Sequence, residues 1–424
     1  MNNLIKNENV PELRFPGFEG NFKPYKLESV TEKIQDGTHF SPNILEIGKY
    51  KYITSRNIRN GYMDLNDVYY LSDKEHHNIY KRCNVQFNDV LMTKDGANTG
   101  NVCLNELEEE FSLLSSVAFI RSNNRIAIND YIYQYISSPI GQREINKVIS
   151  GQAITRITLT KLRNFKFFFP TLPEQQKIAA FLSAVDKKIE KLTRKKELLQ
   201  VYKKGVMQKI FSQEIRFNDD DGKAFPDWEE KKIRKFVISD KSGMKIGPFG
   251  SQLKKDTLVK DGYKVYGQEN VFVKDFSLGA RFITKEHFER LKSNELQPGD
   301  FIISTMGTIG KSCVVPDCIK KGIMDSHLIR LRLDKEIIYS GYLKQVFLLF
   351  EIQKQIKRYS VGGIMDGLSM GIINELKFNI PKSITEQRKI ADFLSNIDKK
   401  IESVQTQLAQ TQTFKKGLLQ KMFV

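Results

Sequence analysis

Three residue combinations in this chain could support catalysis, and each lacks a partner that the chemistry needs. Gly310-Lys311-Ser312 resembles the end of a phosphate-binding loop, but that motif requires glycine where the chain has Thr305. The pair His76-His77 has no cysteines or paired carboxylates at metal-ligand spacing beside it. The four cysteines form no CxxC pair. We therefore interpret the chain as non-catalytic, and we predict no metal site and no cofactor of its own.

Polar side chains cluster in loops that follow short apolar runs, and their types suit the reading of base edges. Arginine matches guanine, whereas asparagine and glutamine match adenine, and neighbouring glycines let the backbone approach phosphates. An ordinary hydrated turn is the alternative at each position. The candidate DNA-binding residues in the first half are Thr38, His39, Ser41, Ser55, Arg56, Asn57, Lys94, Asn98, Thr99, Gln152 and Arg156. Those in the second half are Ser251, Gln252, Gln268, Asn270, Thr305, Thr308 and Lys311.

The charge balance favours a polyanionic partner. Lys and Arg number 67 against 50 Asp and Glu, which gives a formal net charge of +17. DNA or RNA is the usual partner of such a chain, although a solvated basic surface is the alternative. The chain start lacks the apolar run of a signal peptide, and no apolar stretch reaches transmembrane length. Scattered cysteines fit a reducing compartment, so we predict a cytoplasmic protein.

The candidate loops belong to two halves of a tandem repeat. The run from Glu174 to Leu182 returns as Glu386 to Leu394, a shift of 212 residues in a chain of 424. Aligned landmarks follow each copy, and a helical pattern runs on to Phe211 or Phe423. An extended segment at 11–20 has an echo at 225–229, where aromatics again flank a proline and are expected to pin the segment to a neighbouring surface.

Each half is predicted to hold a mixed α/β domain followed by one long helix. Short β-rich runs precede a helix, over 129–149 in the first half and 341–358 in the second, and a closing strand follows. The expected divisions are a domain at 1–172, a central helix at 173–214, a second domain at 215–382 and a C-terminal helix at 383–424. The fold class is α+β.

The long helices carry one apolar seam each. In the first helix Ile178, Leu182, Val185 and Ile189 repeat at alternating steps of four and three, which is a heptad pattern. At 1.5 Å per residue this helix would span about 55 Å. Because the other helix is the nearest complementary surface, we expect an antiparallel coiled coil with internal pseudo-twofold symmetry. The lysines outside the seam either face DNA or form a solvated, partner-docking surface.

These repeated motifs closely resemble the specificity subunit of type I restriction-modification enzymes (the HsdS family). The resemblance rests on Glu-Gln-x-x-Ile-Ala-x-Phe-Leu-Ser-x-x-Asp-Lys-Lys-Ile-Glu, which occurs twice, and on the ending Lys-Lys-Gly-Leu-Leu-Gln-Lys-Met-Phe. Within the domains, Gly37–Pro42, Asp89–Gly96 and Asp300–Gly310 look like target-recognition-domain signatures. The resemblance covers essentially the whole chain.

The resemblance implies two target-recognition domains, each of which reads one half of an interrupted, asymmetric DNA sequence. It implies two modification subunits docked on the helices, which methylate adenine with S-adenosylmethionine, and motor-nuclease subunits that use ATP and Mg. The docking residues implied by the repeated motif are Glu174, Gln175, Ile178, Glu386, Gln387 and Ile390. The chain has no Pro-Pro pair, so it lacks the motif of an adenine methyltransferase itself.

Two other functions remain open at this stage. A stand-alone DNA-binding regulator could dimerise through the coiled coil, but the chain already carries its own repeat and no helix-turn-helix is obvious. A structural coiled-coil protein without nucleic acid is the third reading, and salt-sensitive DNA binding would exclude it.

Overall fold

A computed structural model describes residues 9–149, 155–240, 242–307, 309–360 and 367–424. The chain divides into two compact units, Met1–Glu197 with Ser403–Val424 and Leu198–Glu402. Each unit therefore combines one domain with a part of each long helix.

The first unit alternates short strands with short helices before the first long helix begins. Its strands are β1 (Lys23–Lys26), β2 (Thr31–Asp36), β3 (Tyr50–Ile53), β4 (Tyr69–Leu71), β5 (Val90–Thr93), β6 (Val102–Leu104), β7 (Ser112–Leu113), β8 (Val117–Ser122) and β9 (Lys166–Phe169). Its helices are α1 (Asp73–Tyr80), α2 (Asn129–Ser137), α3 (Pro139–Val148), α4 (Leu159–Arg163) and the start of α5 (Leu172–Phe211).

The central sheet of this unit is buried on both faces because its middle strands carry apolar side chains at successive positions. The strand order is β2-β8-β5-β6, and all neighbours are antiparallel. Side chains alternate across the sheet, so Val90 and Met92 join the core formed with α2 and α5, whereas Leu91 joins a second core with β3. A smaller sheet has the order β4-β3-β7, and β1 pairs with β9.

The second unit repeats this plan. Its strands are β10 (Glu229–Lys232), β11 (Met244–Ile246), β12 (Tyr263–Tyr266), β13 (Phe282–Ile283), β14 (Phe301–Ser304), β15 (Ser312–Val314), β16 (Gly322–Met324), β17 (Leu328–Leu331) and β18 (Lys377–Ile380). Its helices are α6 (Gln268–Val273), α7 (Lys285–Arg290), α8 (Ser340–Val346), α9 (Phe350–Ser360), α10 (Met370–Glu375) and α11 (Ile384–Lys421), which continues into the first unit. The sheets have the orders β11-β17-β14-β15, β13-β12-β16 and β10-β18.

The helix predicted over 129–149 is divided into α2 and α3. Proline has no N–H and its ring clashes with the preceding turn, so Pro139 begins a new helix at its first position. Ser138 caps that helix by accepting a hydrogen bond from Gly141 N, and Gln142 Nε2 donates to the freed Ile136 O at 2.9 Å. The helix predicted over 341–358 is divided similarly, and Gln353 Nε2 donates to Phe347 O at 2.6 Å.

The two long helices pack through the predicted seam. In the first unit, Ile178, Leu182 and Val185 of α5 share a core with Leu418 and Met422 near the end of α11. In the second unit, Ile390, Leu394 and Ile397 near the start of α11 share a core with Ile210 near the end of α5. In both units the start of one long helix therefore packs against the end of the other, as in an antiparallel pair. None of the helices in the described ranges combines the length and the apolar character that a membrane span requires.

Candidate nucleic-acid interface

Loops of the first unit meet where β2, β3 and β5 end, and hydrogen bonds hold them together. Thr38 and Lys94 donate their backbone N–H groups to carbonyls within 113–116, each at 2.8 Å. Asn98 Nδ2 donates to Ser55 O at 3.3 Å, which joins the loop after β3. We define the first loop cluster as residues 37–39, 54–57, 94–99, 113–116 and 155–157.

A series of ionic contacts crosses this first loop cluster. His39 Nε2 lies 3.1 Å from Asp36 Oδ2, which lies 3.4 Å from Lys94 Nζ. Lys94 Nζ donates to Asp95 Oδ2 at 2.9 Å, and Asp95 Oδ1 lies 3.3 Å from Arg156 Nε. The side chains of His39 and Arg156 are 57% and 56% exposed, whereas those of Asp36 and Lys94 are 3% and 2% exposed. The charges are therefore buried at the centre and exposed at both ends.

The buried centre is electrostatically compensated. A lone buried ammonium or carboxylate is costly, whereas Lys94 faces the carboxylates of Asp36 and Asp95. Arg82 adds a cation, because its Nη1 lies 3.5 Å from Asp36 Oδ1 and its Nη2 donates to Gly37 O. Cationic donors therefore occupy the exposed positions, where they suit the acceptor atoms of phosphates and base edges.

The second unit builds an equivalent cluster from different side chains. Thr305 N donates to His327 O at 2.9 Å, and Gly247 N donates to Leu328 O at 3.0 Å. Arg281 uses both terminal nitrogens, one donating to Asp325 Oδ2 and the other to Glu269 Oε1, each at 2.9 Å. We define the second loop cluster as residues 247–252, 267–270, 304–307, 309–311 and 325–328.

Two candidate asparagines organise their loops from within. Asn57 Oδ1 accepts from Thr54 N at 2.9 Å, and its Nδ2 donates to the carbonyls of Asp64 and Asp67. Asn270 does the same in the second unit, where its Oδ1 accepts from Gly267 N at 2.9 Å and its Nδ2 donates to two carbonyls. Both residues are buried, so in this conformation neither amide is free to contact a base.

The other predicted residues differ in exposure. The exposed ones are His39, Ser41, Arg56, Arg156, Gln252 and Lys311. The half-buried ones are Ser55, Asn98, Thr99 and Gln268, and the buried ones besides the two asparagines are Thr38, Lys94 and Thr305. Gln152, Thr308 and the side chain of Ser251 lie outside the described residues. Their contacts with DNA stay predictions, and a contact through a buried side chain would require the cluster to open.

Sequence reasoning missed several charged residues that lie in these clusters or contact them. Asp36, Arg82, Arg281 and Asp325 were not candidates, although all four connect the loops. Asp36 alone carried a signal, because it shares a strand face with buried Ile34 and a charge at such a position needs a partner.

Each repeat also carries a buried carboxylate at the start of its central strand. Asp89 accepts from Arg121 Nε and Nη2 at 2.9 and 2.7 Å. Asp300 lies 3.4 Å from Arg332 Nε, and burial raises the pKa of its carboxyl group. Burial together with the charge of neighbouring Arg332 lowers the pKa of Arg330 to about 10. These pairs explain the aspartate that opens the segments Asp89–Gly96 and Asp300–Gly310.

The side chains of the predicted docking residues are buried in the interior of the protein. Gln175 Nε2 donates to the carbonyls of Ile126 and Pro170 at 2.7 and 2.9 Å, and Gln387 makes the equivalent bonds to Ile337 and Pro381 at 3.0 and 2.9 Å. Ile178 and Ile390 belong to the apolar cores. These side chains therefore bind each long helix to its own domain, and docking through this motif stays a prediction.

The glutamates of the same motif anchor the preceding segments. Glu174 accepts from Arg14 Nε and Nη2 at 2.7 and 2.8 Å. Glu386 accepts from Arg216 Nη2 at 3.1 Å and from Trp228 Nε1 at 3.1 Å. Both carboxylates are fully buried. The expected pinning of the aromatic segment is also present, because the rings of Phe15 and Phe181 meet edge to face at 5.6 Å.

The repeated domains, their donor-rich loop clusters and the paired helices define a DNA-recognition protein. Among the described residues, no group of His, Cys, Asp and Glu side chains could hold a metal ion. The chain belongs to the family of type I restriction modification DNA specificity domains, whose model matches residues 19–200 and 227–412. It is a DNA-specificity subunit and not itself a catalytic one, and its family implies DNA binding and assembly with other subunits.

Individual relatives agree with this assignment. The type I restriction enzyme MjaVIII specificity subunit of Methanocaldococcus jannaschii is 23% identical over 88% of this chain and 84% of its own length. The putative MjaX specificity subunit of the same organism is 22% identical over 98% and 96%. The crystal structure of a type I restriction-modification S subunit from M. genitalium shares the fold, with a TM-score of 0.65 at 18% identity over 98% and 99% of the two chains. The predicted fold class and general function are confirmed, and the regulator alternative has no support.

Proposed function

We propose that each domain reads one half of an interrupted, asymmetric DNA sequence. In this proposal the recognition domains are residues 1–172 and 215–382, and the helices 173–214 and 383–424 form the scaffold. Partner subunits then methylate adenine in the bound sequence or cleave the DNA.

One observation carries this proposal. The two loop clusters occupy equivalent places in the repeat but present different side chains. Thr305 stands where the first unit has Lys94, since both residues follow the central strand and both donate their N–H group to the opposite loop. The second unit instead has Arg281 paired with Asp325 and Glu269. Different donors and acceptors select different bases, so two unlike clusters imply two unlike half-sites.

The scaffold supports the proposed partners. The motif that starts each long helix is repeated almost unchanged, which suits two copies of one modification subunit. Because the predicted docking residues of the motif are buried, we propose that contact is made through exposed neighbours such as Gln176 and Arg388. The modification subunits would use S-adenosylmethionine, and motor-nuclease subunits would use ATP and Mg. The proposed compartment is the cytoplasm.

Single-molecule sequencing of methyladenine tests this function. One strain would express the chain with its modification subunit, and the control strain would express the modification subunit alone. We expect a new methylated motif, split into two unlike halves, only when both proteins are present. The absence of such a motif, with the modification subunit active and bound, would contradict the proposal.

A further inference from the structure

The ionic series in the first loop cluster ends at Arg156, whose backbone segment is hydrogen-bonded to the loop after β5 and whose side chain faces Asp95. Its backbone segment is held by the loop after β5, because Gly96 N donates to Thr155 O at 3.0 Å and Ile157 N donates to Lys94 O at 2.8 Å. Its side chain forms an ion pair with Asp95, whose Oδ1 lies 3.3 Å from Arg156 Nε without the geometry of a hydrogen bond. The hydrogen-bonded backbone and the ion pair both restrict this side chain, so it has less conformational freedom to lose on binding and its direction can encode specificity.

The loop under this arginine is itself closed by hydroxyl groups. Thr99 Oγ1 donates to Gly96 O at 2.6 Å and lies 3.1 Å from Thr155 O. Thr155 Oγ1 donates to Gly96 O at 2.5 Å. These hydrogen bonds therefore join the segments that carry Asp95 and Arg156.

The exposed side of Arg156 is the side that can meet DNA. Asp95 lies beside Nε, and the side chain is 56% exposed. A guanidinium presents parallel N–H donors, and guanine offers two acceptors, O6 and N7, on its major-groove edge. A phosphate contact would not require such precise direction, because phosphates position a protein without carrying sequence information.

Lys94 has a different task, because its ammonium is buried. It neutralises Asp36 and Asp95, which would otherwise place two carboxylates under a surface that meets a polyanion. Its contact with Asp95 also leaves the second oxygen of that carboxylate directed at Arg156. The buried ammonium of Lys94 is therefore placed to influence Arg156 and not to contact a ligand itself.

We propose that Arg156 reads a guanine in the half-site of the first domain, and that Lys94 is a positioning residue that sets its direction through Asp95. This inference rests on the proposed function of the two domains. The second domain has Thr305 in place of Lys94, so substitutions in this ionic series should alter only the half-site that the first domain reads.

Methylomes of the complete complex test the proposal, with Arg156→Lys, Arg156→Gln and Asp95→Asn compared with wild type. Lysine keeps the charge but loses the planar pair of donors. We expect one guanine position of one half-site to become degenerate, with about a tenfold or greater loss of discrimination, while the other half stays unchanged. Arg125→Lys is the matched control, because Arg125 is exposed on the turn between β8 and α2.

Asp95→Asn separates positioning from simple charge. This variant removes a negative charge near DNA, so an arginine that only contacted phosphate would give equal or stronger methylation of an unchanged motif. If Asp95 positions Arg156 to read a guanine, Asp95→Asn should make the same base position degenerate as Arg156→Lys does. Lys94→Met should cause the same degeneracy if that variant folds. If it does not fold, the motif of the Asp95→Asn variant tests the positioning role.

The outcomes are distinct. An unchanged motif in both Arg156 variants, or a uniform loss of methylation at every site without altered base preference, would overturn the reading of guanine. A motif that becomes degenerate in Arg156→Lys but stays unchanged in Asp95→Asn would overturn the positioning of Arg156 by Lys94 through Asp95. Failure of the wild-type complex to methylate any split motif would instead overturn the proposed function itself.

Discussion

The ammonium group of Lys415 lies 2.5 Å from Asp186 Oδ1, so the end of α11 is tied to the first half of α5. The other carboxylate oxygen of Asp186 accepts from Gln134 Nε2 of α2 at 2.9 Å. One aspartate therefore connects both long helices with the recognition domain. In the second unit, Asp398 plays the same part, with Lys203 Nζ at 2.7 Å and Gln345 Nε2 at 3.0 Å.

Removal of Lys415 should destabilise the first unit. Lys415→Met leaves a partly buried carboxylate without its cation, and we expect a loss of about 1–3 kcal/mol in the free energy of unfolding. Urea unfolding of the wild type, both single variants and the double variant with Asp186→Asn would give the coupling energy. Lys416→Met, one residue further along and exposed, is the control. Additive effects of the two substitutions would show that the ion pair between Lys415 and Asp186 contributes nothing to the free energy of unfolding.

Removal of Arg14 should be more damaging, because its partner is fully buried. Glu174 accepts two hydrogen bonds from the guanidinium, an interaction that raises the pKa of Arg14. Arg14→Gln strands this carboxylate in the interior, and we expect a loss of about 3–5 kcal/mol in the free energy of unfolding. Glu174→Gln combined with Arg14→Gln should recover part of that loss, which thermal unfolding can measure. Equal stability of the single and double variants would contradict this explanation.

Two equivalent glycines allow the loop clusters to close. A Cβ at Gly37 would collide with the carbonyl of Leu113, and one at Gly247 would collide with the carbonyl of Asp325. Gly37→Ala should therefore cost about 1–3 kcal/mol and impair recognition of the first half-site. Gly247→Ala should do the same for the second half-site. Gly417→Ala is the control, because a Cβ there meets no described atom within 4 Å and alanine favours a helix. Methylomes would measure recognition of each half-site, and urea unfolding would measure the free energy of unfolding.

The cysteines predict a pattern of thiol reactivity. Burial raises the pKa of Cys83, Cys103 and Cys313 to about 12 each, whereas Cys318 is exposed. Only the thiolate reacts, and at pH 8 a thiol of pKa 12 is about one part in ten thousand ionised. We expect an aromatic disulfide reagent to label one thiol rapidly in the folded protein and four after unfolding. Rapid labelling that persists in Cys318→Ser would contradict the burial of the other three.

Local signals made much of the architecture predictable. The heptad seam and the repeated motif are patterns of neighbouring residues, and they predicted both long helices to within a few residues. Pro139 was a local signal that was overlooked, since proline rarely continues a helix. Arg216 was not recognised as the counterpart of Arg14 because it follows Arg14 by 202 residues, whereas the helix motif repeats at 212.

The candidate site was less predictable, because its contacts join distant parts of the chain. Polar loop residues are usually exposed, so Asn57 and Asn270 suggested contact with bases, whereas tertiary packing uses their amides to close the loops. The ionic contacts of Lys94 depend on strand order and register, which a single sequence does not encode as a pattern. The structure separates the exposed candidate donors from the buried ones, which a single sequence does not.

The central claim is that each domain reads its own half-site, and a domain exchange tests it most directly. Residues 215–382 would be replaced by a second copy of residues 1–172, with both long helices retained, and the methylome would be compared with that of the wild-type complex. We predict a split motif in which both halves are the half-site of the first domain. Retention of the wild-type second half would contradict the account, because that half would then be read from outside the replaced domain.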